Sequence, residues 1–156
     1  MSSSHPTQHF TLTDEHGADL AEYVIYPEDS LLCVHWHGHL TGAEIVRGVK
    51  HGSSWRDQFT YTMILNDKRD TSGDWSDALP WLQYEWLPEA LKGGLKALAY
   101  VFSPAQENRF ATQQFVEALR PHVAIELFDD PAVALDWLKK LNHPTDDAPA
   151  GPSSAG

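Results

Sequence analysis

The sequence predicts an α/β domain on a mostly parallel sheet with an antiparallel first strand, in the order β-β-α-β-α-β-α-β-α. Short apolar runs such as "TYTMIL" and "VAIELF" alternate with longer stretches whose apolar residues recur at helical spacing. Strands separated by helices need right-handed crossovers, and so become parallel neighbours. The first two runs, in contrast, are joined by too little chain for a helix and must form a hairpin.

That hairpin is "LAEYVIY" (20–26), the turn "PEDS" and "LLCVHWH" (31–37). The polar segment 1–19 ahead of it has room for one extra strand at His9 to Thr13. Thr41 and Glu44 in "TGAE" have capping-box spacing, with Ile45, Val46 and Val49 as the apolar face of the helix that follows. This helix should end between His51 and Asp57. "TYTMIL" (60–65) is the next strand, and "NDKRDTSGDW" (66–75) reads as the polar connection leaving it. In the following helix Leu79, Leu82, Trp86, Ala90 and Leu91 share a stripe, Pro80 suits the first turn, Pro88 should kink it and Gly93-Gly94 should stop it. "LKALAYVF" (95–102) is a strand buried on both faces. Ser103 should cap a helix lined by Ala111, Phe115, Ala118 and Leu119. After "VAIELF" (123–128), Asp130 and Pro131 open a last helix with the stripe Val133, Ala134, Trp137, Leu138 and Leu141. The folded domain spans 20–141, and 142–156, rich in Pro, Gly, Ser and Asp, reads as a disordered tail.

Composition narrows the function classes. The 22 acidic against 11 basic side chains give a formal net charge of −11, which opposes binding to nucleic acid and to anionic membrane surfaces. No segment approaches the roughly 20 apolar residues of a membrane helix, and the start lacks the pattern of a signal peptide. A cytoplasmic setting without stable membrane insertion is therefore expected. The lone Cys33 sits in an apolar run and reads as a small buried hydrophobe.

Three groups of side chains invite a functional reading. In "HWHGHL" (35–40) strand alternation sets Cys33, His35 and His37 on one face and Leu32, Val34 and Trp36 on the other. Two imidazoles at i and i+2 lie about 6.6 Å apart along a strand, near enough to share a metal if a third ligand joins them. His39 is the sequence neighbour, but a helix follows instead of a second ligand-bearing strand, so no metal is expected. The ends of parallel strands gather ligand-binding groups; here they would be Asn66, Asp67, Arg69, His37, His39 and Ser103. The plainer alternative there is an Asp–Arg ion pair ordering a loop. Finally, "DWSDALPWLQYEWLP" crowds aromatic residues together, so Trp75, Trp81 and Tyr84 are candidates for an interface. There is no nucleophile elbow, Gly-rich phosphate loop or paired-Cys spacing. No enzyme activity and no cofactor are expected.

The words "CVHWHGHLTGAE", "MILNDKRD", "YEWLPEALKGGLKALAYVF" and "ELFDDPAVALDWL" resemble the STAS family (sulfate transporter and anti-sigma factor antagonist), in its uncharacterised stand-alone bacterial branch. The resemblance covers about residues 20–141. It implies regulation through protein contact, with a Ser or Thr phospho-switch where a strand leads into a helix. "DTSG" (70–73) lies in that place, making Ser72, and after it Thr71, the implied switch residues, although the connection is shorter than in switching members. A protein partner, a homodimer included, is thus expected. A carrier or sensor for a small apolar molecule is the alternative, and a His-based metal-dependent enzyme a third.

Overall fold

The computed structural model describes residues 7–142; the expected tail from 143 onward lies outside the described residues. Six strands form one sheet in chain order: β1 (Gln8–Thr13), β2 (Asp19–Tyr26), β3 (Leu31–His39), β4 (Met63–Ser72), β5 (Ala97–Val101) and β6 (Ala124–Phe128). β1, β2 and β3 pair antiparallel, and β3 through β6 pair parallel. β2 is therefore the one strand running against all the others. This is a mixed α/β sheet.

The helices that link parallel strands all fall on one face, as same-handed crossovers between successive neighbours require. α1 (Gly42–Ser53) joins β3 to β4 and starts with the expected capping box, Glu44 accepting from the Thr41 N–H at 2.9 Å. Between β4 and β5 runs a composite helix. After a 3-10 turn, Ser76–Ala78, come α2 (Leu79–Trp81), a π turn (Leu82–Trp86) and α3 (Leu87–Lys92). The π turn accommodates Pro88, whose missing N–H would otherwise interrupt the ladder. Past β5 the Ser103 hydroxyl accepts from the Ala105 N–H at 3.0 Å, but α4 begins only at Arg109 (Arg109–Leu119), after a 3-10 turn. These elements bury the larger core, with Trp36, Ile45, Trp75, Leu82, Trp86, Tyr100 and Phe115 at its centre.

α5 (Pro131–Asn142) follows the last strand and has no crossover to make. It lies on the opposite face, burying Ala134 and Leu138 against Leu31, Met63, Leu65, Ala97, Ala99 and Val101. Its stripe is narrower than the sequence suggests, since Val133 is 53% exposed. One helix cannot cover six strands. The α5 face of β2 and β3 stays half-open, and Glu22, Val24, Cys33, His35 and His37 stand on it half-buried.

The main correction to the sequence reading concerns residues 66–72. Instead of a polar loop, they continue β4 as far as Ser72. Registration moves from His35↔Asp67 to His37↔Asp70, so β4 carries one extra residue in a bulge. The Thr71 hydroxyl spans that bulge, donating to the Lys68 carbonyl at 2.8 Å. A strand this polar survives because β3 pairs with it along its whole length.

Candidate functional site

Strand alternation divides the residues expected to gather at the strand ends. Ile64, Asn66 and Lys68 point into the helical side, while Asp67 faces the α5 side beside Cys33 and Leu65. No single pocket holds all six expected residues. Arg69 closes on Asp67 in a bidentate pair, Nε to Oδ1 at 3.0 Å and Nη2 to Oδ2 at 2.9 Å. His37 Nε2 lies 3.1 Å from Glu22 Oε1. His39 Nδ1 lies 3.1 Å from the Ser72 hydroxyl, and Ser103 donates to the Thr71 carbonyl at 2.6 Å.

The implied switch residues differ sharply in access. Thr71 is buried, with its hydroxyl committed to the bulge; Ser72 is half-buried. The neighbouring Gly73 N–H, a donor a phosphate would seek, already donates to Glu107 Oε2 at 3.0 Å. A phosphoryl group there would meet a carboxylate on its natural anchor.

Trp75 does not belong to an exposed aromatic surface. It is completely buried at the start of the 3-10 turn after β4, edge-on to Phe115 of α4 and against Lys68. Trp81 is half-buried and Tyr84 is 69% exposed, so the outer surface of this helix presents fewer rings than its sequence suggests.

What Trp75 does is pack against Lys68, the residue that sequence reasoning missed. Lys68 is 3% exposed, with Nζ 3.5 Å from the centre of a Trp75 ring and 5.5 and 5.6 Å from those of Trp36 and Tyr100. Among the described residues no carboxylate comes within ion-pair distance of it. Burial pushes its ammonium well below the usual lysine value. Cation–π attraction to three rings answers only part of the lost hydration.

Lys68, Trp36, Asn66, Trp75 and Tyr100 line a cavity of about 60 Å³ between the sheet and the helices. Asn66 Oδ1 is already taken by the Trp36 indole N–H at 2.7 Å. The Trp75 indole N–H is buried and finds no acceptor among the described residues. The site thus holds a buried amine and an unpaired indole N–H in largely apolar walls, and its one side-chain amide carbonyl is spent. The signal available in the sequence was parity: Ile64, Asn66 and Lys68 share a face once the strand is extended past Leu65.

On the other face, β-register brings Glu22 directly opposite His35, a pairing no local motif announces. Glu22, His35 and His37, not His39, form the cluster there. His35 Nε2 lies 2.7 Å from Asp70 Oδ2, and the imidazole holds that carboxyl below its ordinary range. Among the described residues no helix is long and apolar enough to cross a membrane. A scan against models of protein families matches none, and a search of curated proteins finds no match.

Proposed function

We propose that this chain is a non-catalytic binding module, STAS-like in architecture, that holds a compact anionic or hydrogen-bond-accepting group at Lys68 and uses that occupancy to regulate a protein contact. One observation carries the proposal: Lys68 and Trp75 line a single largely apolar cavity, and among the described residues the Trp75 indole N–H has no acceptor and no carboxylate pairs with Lys68. Surplus donors in a dry site select a ligand that accepts. The element order supports the STAS-type part of the proposal.

The cavity of about 60 Å³ has room for a compact group such as a carboxylate with water beside it. A longer ligand requires the helix above to lift, and the π turn Leu82–Trp86 is its least regular stretch. Leu82 and Trp86 of that turn line the cavity while Tyr84 faces solvent. Ligand entry would therefore alter the surface a partner touches.

The test is calorimetric titration of the full chain with straight-chain carboxylates from acetate to octanoate, in buffers of differing ionisation enthalpy. An anion beside the amine favours its charged form, so any proton taken up on binding appears as a buffer-dependent heat, and Lys68→Met should abolish the binding. Absence of binding across the series, together with native mass spectra showing no retained small molecule, would remove the proposal.

A further inference from the structure

We infer that Glu22, His35 and His37 form a binding site for a divalent first-row transition-metal ion, with Asp70 as the outer carboxylate that orients His35. This site lies across the sheet from Lys68 and does not depend on the proposal above.

Glu22 and His35 oppose each other across the β2–β3 ladder, and His37 follows on the same face. Glu22 Oε1 lies 3.1 Å from His37 Nε2 and 3.6 Å from His35 Nδ1, and the three ligand atoms all fall within 4.8 Å of one another. Metal–ligand bonds of about 2.1 Å place neighbouring ligand atoms roughly 3.0 to 3.4 Å apart. Small side-chain rotations close the difference, and all three side chains are partly exposed and able to make them.

The geometry around His35 suits a cation. Asp70 Oδ2 sits 2.7 Å from His35 Nε2, so that nitrogen carries the hydrogen. Nδ1 faces the Glu22 carboxylate at 3.6 Å, so a metal ion held there would take the Nδ1 lone pair and the carboxylate oxygen together. A carboxylate on the far nitrogen of a ligating histidine is the usual way such a ring is fixed and made more basic. The β4 bulge is what brings Asp70 into line, opposite His37 and beside His35.

Three protein ligands leave positions open. Glu22 and His35 also border a cavity of about 340 Å³ that runs past Cys33 and Leu65 to Pro131 at the start of α5. An ion there would hold water or a ligand atom facing that space. Two imidazoles and one carboxylate suit zinc, cobalt or nickel better than calcium or magnesium, which prefer oxygen. The acidic chain adds a favourable field for any cation.

The experiment is titration of the untagged, chelator-treated full chain with Co²⁺, followed by its visible absorption, and with Zn²⁺ by calorimetry. One ion per chain is expected, with a d–d spectrum showing nitrogen ligation. The His35→Ala/His37→Ala pair should lose it, Glu22→Gln should weaken it, and Asp70→Asn should weaken it about 10- to 100-fold. His39→Ala should bind like the parent. Far-ultraviolet dichroism checks that each variant is folded. Equal affinity in the parent and the double variant would mean adventitious surface binding only and overturn the assignment. So would a Co²⁺ spectrum that His39→Ala removes.

Discussion

Replacing Lys68 by Met keeps the length of the side chain and removes the buried charge. The aromatic cage contributes about 2 kcal/mol through Trp75, at 3.5 Å, and about 0.5 kcal/mol each through Trp36 and Tyr100, at 5.5 and 5.6 Å. The desolvation it opposes is several kcal/mol. Lys68→Met should therefore leave stability at pH 7 between unchanged and about 2 kcal/mol higher.

The pH dependence is the sharper signature. Burial holds the Lys68 ammonium well below its ordinary value, whereas the unfolded side chain titrates near 10.4. Between those two values the unfolded chain binds one proton more than the native chain, so native stability rises with pH. The slope is at most about 1.4 kcal/mol per pH unit. Below the window both states keep the proton; above it both have lost it. Burial raises Cys33, Tyr23, Tyr61 and Tyr100. Their protons leave the unfolded chain first, so they lower stability as pH climbs past about 8.5 for the thiol and about 10 for the phenols. Those contributions are shared by both proteins and cancel in the difference. Urea denaturation from pH 6 to 10.5 should show the gap between Lys68→Met and the parent narrowing as pH rises. A constant gap, or a Met variant more than about 2 kcal/mol less stable at pH 7, would refute the claim that the amine is buried without a full complement of partners.

Other perturbations probe the packing around the two sites. Gly48→Ala should destabilise by about 1 to 3 kcal/mol in urea, although alanine favours helix, because the added methyl overlaps the buried Trp36 ring. Thr41→Ala should cost about 1 kcal/mol through loss of the capping box, read as a lower urea midpoint with unchanged slope. Leu138→Ala, at a position of α5 with no exposure, should cost about 2 to 5 kcal/mol by the same measurement. The Cys33 thiol, pushed up to about 12 chiefly by burial, should react with iodoacetamide at pH 8 about 10³-fold more slowly than a free thiol. Reaction at the free-thiol rate would show that the α5 face opens readily.

The sequence alone determined the features whose causes are local. The capping box of α1 needs Thr41 and Glu44 only three residues apart, and it forms. The hairpin from residue 20 to 37 follows from two alternating runs and a short turn, and the reversed β2 follows from the hairpin. Leu82, Trp86 and Ala90 are buried as their spacing requires. The alternation in "LLCVHWH" put Trp36 on the core side and His35 and His37 on the other.

Tertiary structure decided everything that depends on register between strands. Nothing near Glu22 points to His35; only the β2–β3 pairing sets them opposite. Asp70 reaches His35 because one extra residue in β4 shifts the ladder, and a bulge has no reliable sequence mark here. Lys68 lay in a run whose polarity read as a loop, yet pairing with β3 and a roof of Trp36, Trp75 and Tyr100 made burial of its chain tolerable. A polar side chain buried in a strand is stabilised by partners distant in sequence, and those partners exist only once the sheet has assembled.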